Sequence, residues 1–335
     1  MVSDGDATTG EHGGESEDES GDEEKLSLGL IGVSEGNGHP YSFSSIVNGY
    51  DDAGLADAGW DVIYDYVREK HPSELGLDGA RFTHAWTQDD AETERLCAAS
   101  GIPNAPDDYT DMTEAVDAVV IARDDHETHA EFARPFLDAG VPTFVDKPLS
   151  LDPDELAWMR PHLESGRLMS CSGMRYAREL DTPRASIDDY GTMKLVRGTV
   201  IKDWDRYSVH MLDAIFTVVD ADPVAVRAPD APHESVAIET RDEDGGEGPL
   251  VQIDALGDAA MTFDVDLYGT ERATRHPIRD NFRAFRRLLW EFLEQVRTGD
   301  PAIPPAETLT TMRVVIAGRR AMETGERVPL DAVEI

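Results

Sequence analysis

In the stretch VPTFVDKPLS an apolar run ends by delivering Asp146, Lys147 and Pro148. Open α/β sheets bind ligands at the carboxyl ends of their strands, so a lysine delivered there is placed to touch one. The chain has only five lysines, Lys25, Lys70, Lys147, Lys194 and Lys202, which makes a mere solubility role for this one a poor account. A lysine whose pKa is lowered by burial and neighbours can hydrogen-bond a hydroxyl and share its proton as a hydride moves. Downstream, YSVHMLDA sets His210 and Asp213 one helical turn apart, so a carboxylate can orient the ring nitrogen that proton transfer leaves free. The structural alternatives are a surface lysine paired with an acid and a histidine packed at a domain interface.

A second constellation lies upstream. GLIGVSEGNGHPYSF, Gly29 to Phe43, is a short apolar strand running into a glycine-rich turn. A phosphate-binding turn needs small residues so that backbone N–H groups can approach a pyrophosphate at a helix N-terminus, where the dipole favours negative charge. Gly32 is in register with the first glycine of the dinucleotide fingerprint, Ser34 replaces the second, Gly36 adds a small residue and Asn37 falls at the third. The full G-x-G-x-x-G is absent. The next strand, RFTHAWT, is delayed by an insertion from Tyr50 to Ala80 and ends in Thr87 and Gln88, with no carboxylate read there for a ribose 2′-hydroxyl. A neutral hydroxyl leaves room for a 2′-phosphate, so NAD and NADP both stay open.

The elements that must position these residues follow from periodicity. KLSLGLIGV, RFTHAWT, VDAVVIA and VPTFVD read as buried parallel strands, and DDAETERLCAASG and HETHAEFARPFLDAG as helices closed by glycine. Strand alternating with helix predicts a doubly wound sheet. From about residue 192 the runs TMKLVRGTVI, PVAVRA, SVAIETR, LVQIDAL and AAMTFDVDLYG read as neighbouring antiparallel strands, followed by an amphipathic helix whose stripe runs from Phe282 to Val296. The expected fold is α/β: a Rossmann-type parallel sheet over residues 25–150 and, over 151–335, an α/β domain with an open, mostly antiparallel sheet. Residues 1–24 offer almost nothing to bury and read as a disordered acidic tail. RDEDGGEGP reads as a loop.

Composition narrows the partners. With 68 acids against 30 bases the chain has no basic stripe for nucleic acid or anionic lipid. Ten of those acids and no bases lie in residues 1–24, so the rest still carries a formal −28. Such acidity suits a protein kept hydrated at high salt, in a halophile's cytoplasm. Cys97 and Cys171 have no metal-ligand spacing, no apolar run reaches membrane-spanning length, and the N-terminus lacks the basic start of a signal peptide. Neither a metal site nor a membrane partner is expected.

The glycine-rich turn, then VDAVVIARDDHETHAEFARPFLDAG, then VDKPL, then an antiparallel domain with VHMLDA, resembles the glucose-fructose oxidoreductase and inositol dehydrogenase family, Gfo/Idh/MocA. The resemblance covers nearly everything after residue 24, to the ending LYGTERATRHP and NFRAFRRLLWEFLEQVRTGDPAIPPAETLTTMRVVIAG. Asp146, Lys147 and Pro148 match the family's E-K-P with Asp for Glu. ARDDHETH stands for T-P-x-x-x-H near the nicotinamide: His129 matches, the Thr-Pro positions do not, and Arg123 opens the segment. The family's D-x-x-x-H falls on Arg206 and His210, with arginine where aspartate is usual. Either Asp205 takes the aspartate's role or Lys147 and His210 act alone. Arg206 pointing outward and Asp205 facing the substrate is the favoured arrangement, since a buried arginine without an anion is costly; otherwise Arg206 holds a sugar acid or nucleotide-linked sugar. Arg175 and Tyr176 correspond to positions that line family substrate pockets, with a structural ion pair the alternative for Arg175.

The resemblance implies an NAD- or NADP-dependent oxidoreductase acting on CH–OH groups of a sugar, sugar acid, cyclitol or nucleotide sugar, and a homo-oligomer, dimer or tetramer, paired through the open sheet. Lys147 and His210 would be its acid–base groups. The rivals are a non-catalytic dinucleotide-binding sensor and a lyase or hydrolase that uses bound NAD transiently.

Overall fold

The computed structural model describes residues 25–242 and 244–335; the tail expected at 1–24 lies outside the described residues. Five parallel strands, β1 (Leu26–Ile31), β2 (Ala80–Trp86), β3 (Ala118–Ile121), β4 (Thr143–Val145) and β5 (Leu168–Met169), lie in the order β2-β1-β3-β4-β5. Between them run α1 (His39–Asn48), α2 (Asp52–Asp57), α3 (Asp61–Arg68), α4 (Asp90–Ser100), α5 (His129–Ala139) and α6 (Pro153–Glu164). Local chemistry sets the helix ends: Asp89 caps α4 by accepting the Glu92 N–H at 2.8 Å, and Gly101 closes it in the left-handed conformation. The insertion after α1 is folded, and Trp60 and Ile63 pack so closely on Gly38 that a Cβ there would overlap both. Strand order reverses at β1, so the loops after β1 and β3 open on a crevice at the carboxyl edge.

The second sheet has seven strands, β6 (Met193–Val200), β7 (Asp222–Arg227), β8 (Glu234–Arg241), β9 (Leu250–Ala255), β10 (Phe263–Gly269), β11 (Ala273–Pro277) and β12 (Val328–Pro329), ordered β11-β10-β6-β9-β8-β7-β12. Neighbours are antiparallel except β6 and β9, which pair parallel. Helices α7 (Asp181–Ala185), α8 (Trp204–Ile215), α9 (Asn281–Thr298) and α10 (Pro305–Thr324) complete the chain. Gly198 lets α8 sit close on β6, since a Cβ there would come within 2.7 Å of Met211.

The fold class is the one expected, but the division at residue 150 is not where the structure divides. The parallel sheet continues through α6 to Met169. Moreover α9 returns to the first domain, where Phe282, Phe285, Leu288, Leu289 and Phe292 share a core with Leu28, Tyr41 and Phe43. No helix among the described residues is long and apolar enough to cross a membrane.

Candidate active site

The turn after β1 keeps its donors free. Backbone N–H groups of Glu35, Gly36 and Gly38 bond to no described protein atom, and α1 starts at Gly38 without a side-chain cap or an acid in its first turn. Gly36 takes φ +74° with open space where a Cβ would stand. Unspent N–H groups at an uncapped helix N-terminus fit a pyrophosphate. The other predicted residues hold this turn in shape. Ser34 donates to Asp124 at 2.8 Å, Asn37 accepts the His39 N–H at 2.9 Å, and Gly32 meets Pro40 where any Cβ would overlap the ring.

Arg123 and Gln88 both donate to the Val33 carbonyl, at 2.8 and 2.7 Å, and Arg123 forms a two-bond pair with Asp125. They brace the turn after β1 through the Val33 carbonyl. His129, fully buried, places its ring nitrogens 2.9 and 3.0 Å from the carbonyls of Arg123 and Leu149. It joins the β3 and β4 loops and has no face left for a cofactor. Thr87 is also corrected: its hydroxyl is spent on the Asp89 carbonyl at 2.8 Å and on Thr93, and the residue is buried. Gln88, Asp89 and Asp90 are the exposed residues just after β2, and Asp89 spends one carboxylate oxygen on the α4 cap.

After β4, Asp146 and Lys147 enter the crevice, each 2% exposed. Burial works to raise the Asp146 carboxyl, but His39, whose Nδ1 lies 2.5 Å away, and Lys147 outweigh it and hold the group at about 2. Asp146 is therefore a fixed anion. The Lys147 ammonium makes no hydrogen bond among the described residues; it stands 3.8 Å from Asp124 and 5.2 Å from the Tyr207 ring centre. Pro148 follows it in the same loop and is buried.

Helix α8 supplies the opposite wall. Asp203 caps it by accepting the Arg206 N–H at 2.9 Å, and Trp204 anchors it on α10 through a 2.8 Å bond from Nε1 to the Val315 carbonyl. His210 is buried, and its Nδ1 lies 2.6 Å from Ser172 Oγ. That hydroxyl already accepts the Met174 N–H at 3.1 Å, and Nδ1 is the one acceptor the structure offers its proton. We therefore assign Nε2–H as the tautomer facing the crevice. Burial, then the Lys147 charge, pushes the imidazole well below its usual pKa, so it is neutral.

Asp213 does not touch His210 as expected. It accepts the Ser172 N–H at 2.6 Å and a bond from Thr311 at 3.4 Å, so it fixes the serine that fixes the histidine. Burial raises its carboxyl to about 6, against the Arg175 charge and these bonds. Asp205 is a second correction. Both its oxygens are held by Arg319, at 3.0 and 2.7 Å, which ties α8 to α10 rather than facing the hydroxyl chemistry. Arg206 is half-buried and its side chain makes no ion pair or hydrogen bond among the described residues. Arg175 takes the structural option, paired to Glu307 at 2.6 Å. With Tyr176 it lines a separate cavity of about 680 Å³ beside Arg184 and Arg287, whose guanidiniums are committed to Asp181.

Reading the sequence missed Ser172, His39 and Tyr207. The last carried a signal: it precedes His210 by three residues and so shares its helix face, and the two rings lie 5.2 Å apart.

Residues 65–167 match the model of an oxidoreductase family with an NAD-binding Rossmann fold. No curated protein sequence matches the chain. Among solved structures, scyllo-inositol dehydrogenase from Lactobacillus casei aligns over 92% of this chain and 99% of its own, at 16% identity and a TM-score of 0.71. Myo-inositol 2-dehydrogenase from Lactobacillus plantarum aligns over 91% and 99%, at 17% identity and 0.71. The Lactobacillus casei scyllo-inositol enzyme with bound NAD(H) and scyllo-inositol aligns over 92% and 100%, at 16% identity and 0.68. At such identities the likeness is one of fold.

Proposed function

We propose that this chain, whose Rossmann segment belongs to the Gfo/Idh/MocA oxidoreductase family, is an NAD-dependent dehydrogenase acting on a CH–OH group of a polyhydroxylated, sugar-like substrate. The observation that carries the reading is the meeting of a buried lysine, free of hydrogen bonds, with a neutral histidine at the carboxyl edge of a sheet whose β1 turn has free N–H donors. The turn at Glu35, Gly36 and Gly38 would hold the pyrophosphate, with Asp89 at the adenosine ribose. Bound NAD supplies the hydride acceptor. His210 Nε2–H donates to the reacting oxygen and orients it, while Lys147 exchanges the hydroxyl proton. Ser172 and Asp213 hold the tautomer; Asp124 and Tyr207 hold the ammonium. NAD is preferred to NADP because the exposed Asp89 can accept from a ribose hydroxyl and repels a 2′-phosphate.

Lys147→Met tests the assignment. NADH fluorescence titration should give an unchanged Kd, with NADPH binding more weakly than NADH, while turnover of a responsive polyol falls by roughly 10² or more. Undiminished turnover removes Lys147 from the mechanism. Failure of the native chain to bind either nucleotide removes the dehydrogenase reading.

A further inference from the structure

Lys202 is the one non-glycine described residue with a left-handed backbone, φ +60°. Such a conformation is strained and persists only where surrounding structure enforces it. Reciprocal bonds with Gly257, 2.9 Å from the Lys202 N–H and 3.0 Å to its carbonyl, do the enforcing. The result is an ammonium 4.5 Å from the Tyr207 ring centre. Lys147 faces the same ring at 5.2 Å. Two of the chain's five lysines thus converge on one tyrosine that packs against His210.

Acids are present in this corner, but among the described residues none pairs with Lys202. Asp124 and the ionised Asp146 stand by Lys147, Asp203 accepts the backbone N–H of Arg206 at the start of α8, and Glu234 and Asp258 line the same surface as Lys202 without an ion pair to it. Neither the Lys202 ammonium nor the Arg206 guanidinium has an acid or a hydrogen-bond partner among the described residues. Arg206 precedes His210 by four positions and Tyr207 precedes it by three, so both lie one turn N-terminal on its side of α8. In a chain with more than two acids per base, a lysine left without an ion pair beside an acid–base pair is placed to take an anion from a ligand. Lys147 is 2% exposed and Lys202 is exposed, and their ammoniums lie 5.2 and 4.5 Å from the Tyr207 ring centre, so the cluster runs from the buried Lys147 out to solvent.

We propose that the substrate is a sugar or cyclitol bearing an anionic group, carboxylate or phosphate, and that Lys202 binds that group while Lys147 and His210 engage the reacting hydroxyl. This rests on the dehydrogenase reading and names its substrate class. A carboxylate or phosphate accepts a charge-assisted bond from the Lys202 ammonium, whereas a neutral polyol leaves its charge without a partner. Lys202 is then the residue that selects charge.

Calorimetric titration of the NADH complex at fixed ionic strength tests this, with glucuronate and gluconate as carboxylate probes, glucose 6-phosphate as the phosphate probe, and glucose and myo-inositol as neutral ones. At least one anionic probe should bind about tenfold or more tightly than the neutral set, the size usual for a bond to a charged group. Whether the tight probe is a carboxylate or the phosphate identifies the anion. Lys202→Gln should reduce that preference about tenfold, and Lys202→Arg should restore most of it. No preference for any anionic probe, or a preference unaltered by Lys202→Gln, overturns the proposal. Because NADH binding is measured first and separately, its failure would instead remove the dehydrogenase reading.

Discussion

Asp213 shows how a residue that touches no ligand can matter to the chemistry. Its carboxylate, 6% exposed, is held between the Ser172 N–H and Thr311, and burial raises its pKa to about 6. An unfolded aspartate titrates near 3.8, so between 3.8 and about 6 the folded chain holds a proton that the unfolded chain has released. Stability from this site is therefore full below 3.8 and is lost as pH rises through about 6. Once ionised, the buried group costs about 3 kcal/mol relative to a neutral side chain of the same shape. Asp213→Asn should thus raise the unfolding midpoint at pH 7 to 8, and the gain should shrink towards pH 4. A gain of equal size at every pH, measured by thermal unfolding, would show that ionisation is not its source. The arrangement also explains why sequence reading placed Asp213 against His210. One turn of helix brings the two residues near each other, but spacing says nothing of the intervening Ser172, supplied by a loop 38 residues earlier.

Helix α8 carries Tyr207, His210 and Asp213, so its seat sets the site's geometry. Trp204 is fully buried, and a Cβ on Gly318 of α10 would overlap its ring. Gly318→Ala should therefore push the two helices apart, at about 1–3 kcal/mol. Turnover should fall with NADH affinity unchanged, because the turn proposed to hold the cofactor lies between β1 and α1, away from α8. Adding Trp204→Phe, which removes the ring atoms in conflict, should recover part of both losses. An equal loss of NADH affinity would mean that α8 does not act on the substrate side alone. Other elements show what the sequence could and could not reveal. β1, β3 and β4 were legible because a strand buried on both faces is a continuous apolar run, and D-K-P follows one directly. The stripe of α9 was legible as a stripe, yet it carries no address, and it packs on the first domain rather than its own. Asp205 was misread for the same reason: its partner, Arg319, is 114 residues away.

Charge acts on the molecule as a whole. Outside residues 1–24 the chain bears a formal −28, and the ion pairs on its surface leave most acids uncompensated. Exposed pairs of this kind each contribute little, about 0–1 kcal/mol, so they do not offset repulsion among the remaining carboxylates. Screening does. The Debye length is roughly 3 Å at 1 M salt and 30 Å at 0.01 M, so at low salt each carboxylate acts on charges across much of the fold. Transfer from molar to millimolar salt should therefore lower the melting temperature, and deleting residues 1–24 should leave most of that dependence in place. The cause can be separated from a loss of specific ion pairs by pH. If repulsion dominates, acidifying the low-salt sample from pH 7 towards 5 should recover stability, because the net charge falls as the sequence pI of about 4.4 is approached. If lost ion pairs dominate, the same acidification should weaken the fold further, as their carboxylates begin to protonate. The measurement is best made on Asp213→Asn, which removes the one buried carboxyl shown here to gain stability on acidification by itself. A melting temperature that does not fall at low salt would show that the acid excess serves solubility and places no demand on folding.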